Sequence, residues 1–357
     1  MIFNNTRKFV KKNLKVISIN FIIFFLLIIL IESFFGYWFS ELNFGQHMRG
    51  KRVQKIVFEN KTEKVYYFRD YYGFRENNRL DEKYDASKIK IVFNGGSTGD
   101  ELFLNYDDTI VGNINKYFQS ENIKLKLFNA SLSGKSLKGK INEFEYWFDK
   151  IPNFKPDIII YYIGINDRRL SKNRWHDFEY KYNFLGKIVD NITQKSFLWE
   201  KIKFVKDKYF FETREVGYYF NNDIEKISNL KGNDFIPYSA AKKLYLDKDF
   251  DDNLIIENYK KNLLILNDKL EQRNITPIFI TQITYDINGK KKLFFLNEEL
   301  KKFSKEKNIP IIKLDEIVNE PMIASFIDEF HTNKNGSFYI SKLIYPYLKK
   351  ILLDYYK

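Results

Sequence analysis

Four short segments put a hydroxyl, a glycine, an amide and a carboxylate–imidazole pair just beyond apolar runs. NGGSTGDEL follows IKIVFN (89–94) and carries Ser97. NASLSGKS follows IKLKLF (123–128) and carries Gly134; GINDRR follows DIIIYYI (157–163) and carries Asn166. FIDEFHTNKNG comes after IPIIKLD (309–315) and carries Asp328 and His331. These are the parts of acyl transfer. Serine is a poor nucleophile until a base takes its proton. The chain has three histidines. His47 lies beside an apolar N-terminal run and His176 in an irregular stretch, whereas His331 sits in a loop just before a helix. Asp328, three residues earlier, is the acceptor that would orient its ring. A tetrahedral intermediate needs preorganised donors. The candidates are the backbone N–H groups of Ser97 and Gly134 and the side-chain amide of Asn166.

Each residue has a plainer reading when taken singly. Ser97 suits a helix cap after a strand, Gly134 a strand breaker, Asn166-Asp167 a turn, and Asp328 with His331 a surface pair. FNASLSGKS (128–136) also differs by one residue from a phosphate-binding loop, G-x-x-x-x-G-K-[ST], with Asn129 where the first Gly belongs. Such a loop needs a magnesium-holding carboxylate at a neighbouring strand end. Asp157 opens its strand, at the wrong end, and Asp167 sits inside the GIND turn. The nucleotide reading also leaves Ser97, Asp328 and His331 without a role. No cofactor is expected, and three histidines without cysteine do not suggest a metal centre.

Elements must position these residues, and the apolar pattern supplies them. Buried-type runs at 89–94, 123–129, 157–164, 276–282 and 309–315 alternate with helical spacing at 109–122, 136–151, 253–274 and 292–308 and at the C-terminus. That alternation predicts five parallel strands covered on both faces, with ligands outside their carboxyl ends. The rhythm breaks at about 168–252, an aromatic and Lys-rich stretch read as a mostly helical insertion. It suits a lid or acceptor-binding surface, core packing or contact with a membrane surface; Trp175 and His176 within it are either substrate contacts or structural. Residues 40–88 read as an extended lead-in.

Net charge is +13 and apolar residues make up 44%. Lys is scattered among Glu and Asp, so no nucleic-acid partner is read from the charge. Residues 1–15 form a basic tail, with Arg7, Lys8, Lys11, Lys12 and Lys15. Residues 16–39 are long and apolar enough for a transmembrane anchor, with Glu32 near the far interface and Tyr37 and Trp38 in an aromatic belt. The basic flank predicts a cytoplasmic N-terminus and an extracytoplasmic remainder. A cleavable signal peptide is the alternative, but no Ala-x-Ala site follows the run.

In this order, the GGST, NASLSG, GIND and DEFH segments resemble the blocks of the SGNH (GDSL-type) hydrolase family, and YGFR (72–75) resembles the lead-in of its membrane-anchored members. The resemblance covers residue 72 to the C-terminus, apart from 168–252. It departs from the family at Gly96, where the Gly-Asp-Ser-Leu form has Asp. It implies a three-layer α/β/α sandwich with a five-stranded parallel, flavodoxin-like sheet, in a catalytic domain at 89–357. It further implies Ser97 as nucleophile, His331 as base, Asp328 as its orienter, and Ser97, Gly134 and Asn166 as the oxyanion hole. The expected substrate is an acyl ester on a carbohydrate or lipid of the cell envelope. An O-acyltransferase acting on a surface polysaccharide, or an inactive glycan-binding module, would use the same scaffold.

Overall fold

The computed structural model describes residues 2–40, 42, 44, 48, 52–58, 61–77, 84–168, 177–178, 183–206, 236–246, 253–284, 287–318 and 325–357. His47, Trp175 and His176 lie outside the described residues. The chain divides into two compact units, Met1–Gln46 with Tyr182–Glu212, and His47–Lys181 with Thr213–Lys357.

The smaller unit is helical. Helix α1 spans Ile2–Phe35. Its stretch Asn13–Phe35 is long and apolar enough to cross a membrane, and none of it is buried within the protein. Two helices of the insertion, α5 (Phe184–Lys195) and α6 (Phe197–Lys206), complete the unit. Both helices fall within the stretch 168–252.

The larger unit is built on one sheet. Among the described residues it has eight strands: β1 (Arg52–Phe58), β2 (Lys61–Arg69), β3 (Arg75–Glu76), β4 (Ile91–Gly95), β5 (Leu127–Asn129), β6 (Ile158–Tyr162), β7 (Thr276–Ile280) and β8 (Ile311–Ile312). Their order is β1-β2-β3-β5-β4-β6-β7-β8. The last five in sequence are mutually parallel, in the doubly wound order second-first-third-fourth-fifth. The expectation of a five-stranded, all-parallel sheet is corrected here. The lead-in adds three antiparallel strands beside β5, because a chain arriving from outside the α/β repeat can pair with that open edge directly.

Burial explains the composition of the strands. Both faces of the parallel part are covered, so β6 reads IIIYY, buried throughout, rather than alternating. On one face Ile91, Phe93, Ile160 and Ile278 pack against helix α3 (Ile110–Ser120) and the C-terminal helix Lys334–Tyr355. Thr109 and Asn333 cap these two helices through the N–H groups of Gly112 and Gly336. On the other face Phe279 meets Phe303 of helix Ile287–Lys307. There Asn94 of β4 joins Lys140 and Glu143 of helix α4 (Leu137–Tyr146). That ion pair is fully buried, and the Asn94 amide bonds both charged partners, which is what makes a dry charge pair tolerable.

The lead-in is tied to the rest by buried arginines. Arg69 donates to the Asp100 carboxylate at 2.9 Å and to the carbonyls of Gly73 (2.7 Å) and Ser131 (2.9 Å). Arg75 donates to the carbonyls of Glu101 and Leu104. Arg69 is 1% and Arg75 0% exposed. Removing the carboxylate with Asp100→Ala strands a buried guanidinium, and should lower stability by about 3–5 kcal/mol in chemical denaturation of the full chain. The double variant Arg69→Met with Asp100→Leu should recover much of that loss; if it does not, the pair is not what holds this edge.

Candidate active site

Strand β4 ends at Gly95, and the one-turn helix α2 (Ser97–Asp100) begins two residues later. Ser97 therefore sits at a strand-to-helix turn at the carboxyl edge of the sheet. The turn is tight because Gly96 lacks a side chain. A Cβ there would lie 2.2 Å from the Asn166 amide nitrogen and 3.4 Å from the Lys135 carbonyl oxygen. These distances show that the first three segments converge. The second segment is fastened to the first by Gly95 N–H on the Ser131 hydroxyl (2.9 Å) and Leu132 N–H on the Gly95 carbonyl (3.1 Å). Asn166 donates from its side chain to the Lys135 carbonyl at 2.9 Å. Gly134 has φ +76°, a left-handed conformation that glycine adopts without strain.

The Gly-Lys-Ser sequence does not form a phosphate cradle. It leads into α4, but carboxylates already occupy the start of that helix. Asp177 accepts from the Ser136 N–H (2.8 Å) and hydroxyl (2.7 Å), and Asp167 accepts from the Leu137 N–H (3.0 Å). Lys135 lies 3.3 Å over the Phe178 ring, and burial pushes its ammonium down to about 7. Asn129, which stands where a phosphate loop has glycine, is buried and holds the turn, donating to the Gly99 carbonyl and accepting from the Ser131 N–H.

Asp328 and His331 form a compact dyad. The His331 ring nitrogen Nδ1 is 2.6 Å from Asp328 Oδ2. The other carboxylate oxygen accepts the backbone N–H groups of Phe330 (2.8 Å) and His331 (2.7 Å). Burial pushes this carboxyl up, but the imidazole and the two N–H donors outweigh burial and hold it below the usual Asp value. With Nδ1 donating to Asp328, Nε2 is the ring's acceptor nitrogen. The loop is anchored to the turn just after Ser97. The Thr332 hydroxyl donates to Glu101 at 3.2 Å, the Ser337 hydroxyl bonds the same carboxylate oxygen, and the His331 ring stands edge-on to Phe103 with centroids 6.2 Å apart. Arg168, two residues after Asn166, lies 5.2 Å from the Phe330 ring centre. All four segments therefore gather at one end of the sheet.

Several supporting residues escaped the sequence reading. Gln282, just past β7, donates to the Thr98 hydroxyl (2.8 Å) and the Tyr162 carbonyl (3.2 Å) and accepts from the Ile165 N–H (2.6 Å). It links three strand ends, and its place as the polar last residue of the fourth apolar run is the signal that could have found it. Glu101 gave no such signal. It has φ +47°, and its carboxyl accepts the Ile110 N–H at 2.7 Å besides the two hydroxyls. Burial pushes that carboxyl up to about 7, against the hydrogen bonds that favour its ionised form.

No family model matches the chain, and neither does any curated protein. Among solved structures it is similar to a psychrotrophic esterase from Pseudoalteromonas sp., at 13% identity and a TM-score of 0.40, over 74% of this chain and 99% of that one. It is similar to a lipase/acylhydrolase from Enterococcus faecalis, at 12% identity and a TM-score of 0.42, over 73% and 96%. It is also similar to an acetylxylan esterase from Geobacillus stearothermophilus, at 14% identity and a TM-score of 0.41, over 72% and 92%. At these TM-scores the likeness carries no weight for mechanism.

The raised Glu101 carboxyl sets a sign for pH. The folded state holds this proton more tightly than the unfolded chain, whose ordinary value is 4.5. Its stabilising contribution is full below that value and is lost as pH rises through about 7. Unfolding of the full chain followed across that window should show stability falling with pH, and Glu101→Gln should flatten the profile. A Glu101→Gln profile as steep as that of the parent would show that the carboxyl is ionised in the fold.

Proposed function

We propose that this chain is a membrane-anchored serine esterase of the SGNH type, its catalytic unit facing the extracytoplasmic side. The reading rests above all on the Asp328–His331 dyad, an imidazole with its tautomer set by a half-buried carboxylate, on a loop fastened to the turn that begins at Ser97.

In this reading His331 Nε2 takes the proton from the Ser97 hydroxyl, and Oγ attacks the acyl carbonyl. The oxyanion is met by the N–H groups of Ser97 and Gly134 and the amide of Asn166. Asp328 stabilises the imidazolium without accepting its proton, consistent with a carboxyl held below its usual range. The proton passes to the leaving alcohol, and the acyl group rests on Ser97. A second hydroxyl, activated in the same way, releases it. The substrate class is an acyl ester of an envelope carbohydrate or lipid. Water as the second hydroxyl gives an esterase, and a sugar hydroxyl gives an O-acyltransferase.

Three measurements on the full chain in detergent test this. A fluorophosphonate should label Ser97, located by mass spectrometry, and Ser97→Ala and His331→Ala should abolish the adduct. Folded protein with no adduct on Ser97 sinks the proposal. Asn166→Ala should lower turnover of a small acetyl ester about 10²–10³-fold. Gly96→Ala, which displaces the same amide, should approach that loss while thermal stability changes little. Equal turnover in Gly96→Ala and the parent would remove Asn166 from the mechanism. Acetate release measured with and without added glycan separates hydrolysis from transfer.

A further inference from the structure

We infer that helices α5 and α6 lie in the membrane interface, so that the insertion gives the smaller unit a second, lipid-embedded attachment beside α1. This rests on the reading of α1 as a membrane anchor and adds a surface to it.

The first observation is the apolar face of α5. Phe184, Leu185, Ile188, Val189 and Ile192 are exposed, at 77%, 69%, 42%, 59% and 47%. At about 100° per residue they fall within one arc of less than half the helix circumference. Lys187, Asp190 and Gln194 occupy the opposite side, Asn191 borders the arc, and Lys195 joins it at the last residue of the helix. No residue of α5 is buried, so among the described residues nothing covers this face. On α6, Trp199, Ile202 and Val205 recur every third residue and are 47%, 61% and 50% exposed. An amphipathic helix with Lys on its polar side and Phe, Leu or Trp on the other is the type that lies along a bilayer surface.

The second observation identifies the occupant. The α5–α6 corner is joined to the end of α1. The Glu32 carboxylate accepts the Ser196 hydroxyl (2.6 Å), the Phe197 and Leu198 N–H groups (3.0 Å each) and the Trp38 indole (2.9 Å). The Tyr37 N–H donates to the Lys195 carbonyl at 2.8 Å, and the Phe35 and Phe197 rings pack with centroids 5.4 Å apart. Glu32 lies in the last turn of the apolar stretch, where a spanning helix leaves the hydrocarbon. A carboxylate at that depth needs partners, and the start of α6 supplies them. The corner is therefore tied to the level where hydrocarbon meets headgroups, and it carries the exposed arcs of α5 and α6 with it. The occupant is the bilayer itself, with each apolar face sunk about 5–10 Å into the headgroup–acyl boundary.

The chain has no cysteine, so single cysteines report position cleanly. The full chain is reconstituted into phosphatidylcholine–phosphatidylglycerol vesicles with fluorophores on Val189→Cys and Ile202→Cys, and on Lys187→Cys from the polar side. Leu26→Cys reports the anchor. Lipids brominated high or low on the acyl chain act as quenchers. We expect low-brominated lipid to quench Leu26→Cys. High-brominated lipid should quench Val189→Cys and Ile202→Cys several-fold more than Lys187→Cys. Quenching at Leu26 with no difference among the other three positions overturns the inference while the anchor stands, because protein or a second copy would then cover the face. Loss of quenching at Leu26 removes the anchor, and the inference falls with it.

Discussion

The buried contact between Arg69 and Asp100 is the constraint on which the site depends. Ser97 can be presented at the sheet edge only if the short helix after it is held from beneath. Asp100, at the end of that helix, accepts from Arg69 (2.9 Å), the Tyr67 hydroxyl (2.8 Å) and the Ser133 hydroxyl (2.8 Å). One carboxylate thus joins the lead-in, the Ser97 turn and the Gly134 loop. Arg75 continues the grip on the carbonyls of Glu101 and Leu104. A buried charge pair costs desolvation, and is tolerated only where hydrogen bonds meet nearly every polar atom. Here the Nε atoms of Arg69 and Arg75 are the guanidinium nitrogens left without a partner among the described residues. The antiparallel strands are therefore part of the machinery that shapes the turn.

Carboxyl groups around this end of the sheet do different work because their surroundings differ. Asp328 meets an imidazole and two backbone donors and is held in its charged form. Glu101 is buried deeply enough for the proton to compete, although it also accepts hydrogen bonds. Asp167 and Asp177 occupy the start of α4, where unpaired N–H groups favour negative charge. Those two aspartates supply from within the protein the charge that a phosphate would bring, and so turn a near-match to a nucleotide loop into a fixed wall beside Gly134. The same helix carries the Lys140–Glu143 pair against Asn94, so the strand leading to Ser97 is also clamped from its second face.

The smaller unit applies the same rule to a carboxylate in a long apolar helix. Glu32 interrupts an apolar run, and its four donors come from the helix corner of the insertion and from Trp38. A carboxylate that interrupts an apolar run is stable there when its acceptor atoms find donors within the protein.

The five parallel strands, the apolar N-terminal helix and the places of Ser97, Gly134 and Asn166 just past strand ends are legible in the chain alone, whereas Asp328 and His331 lie well beyond the last strand, with the helix Leu314–Ile317 between. These are local properties, since burial on both faces produces runs such as IIIYY, and turn residues mark where strands stop. Tertiary structure alone decided what meets at those ends. The lead-in pairs with β5, Arg69 reaches Asp100, Gln282 spans three strands, and Glu32 caps a helix more than 160 residues away. Such contacts depend on which strand becomes an edge and which groups lose water together, and neither leaves a periodic trace in the chain. For the same reason a Gly-Lys-Ser that reads as a phosphate loop in one dimension is closed in three, by carboxylates from segments 30 and 41 residues further on.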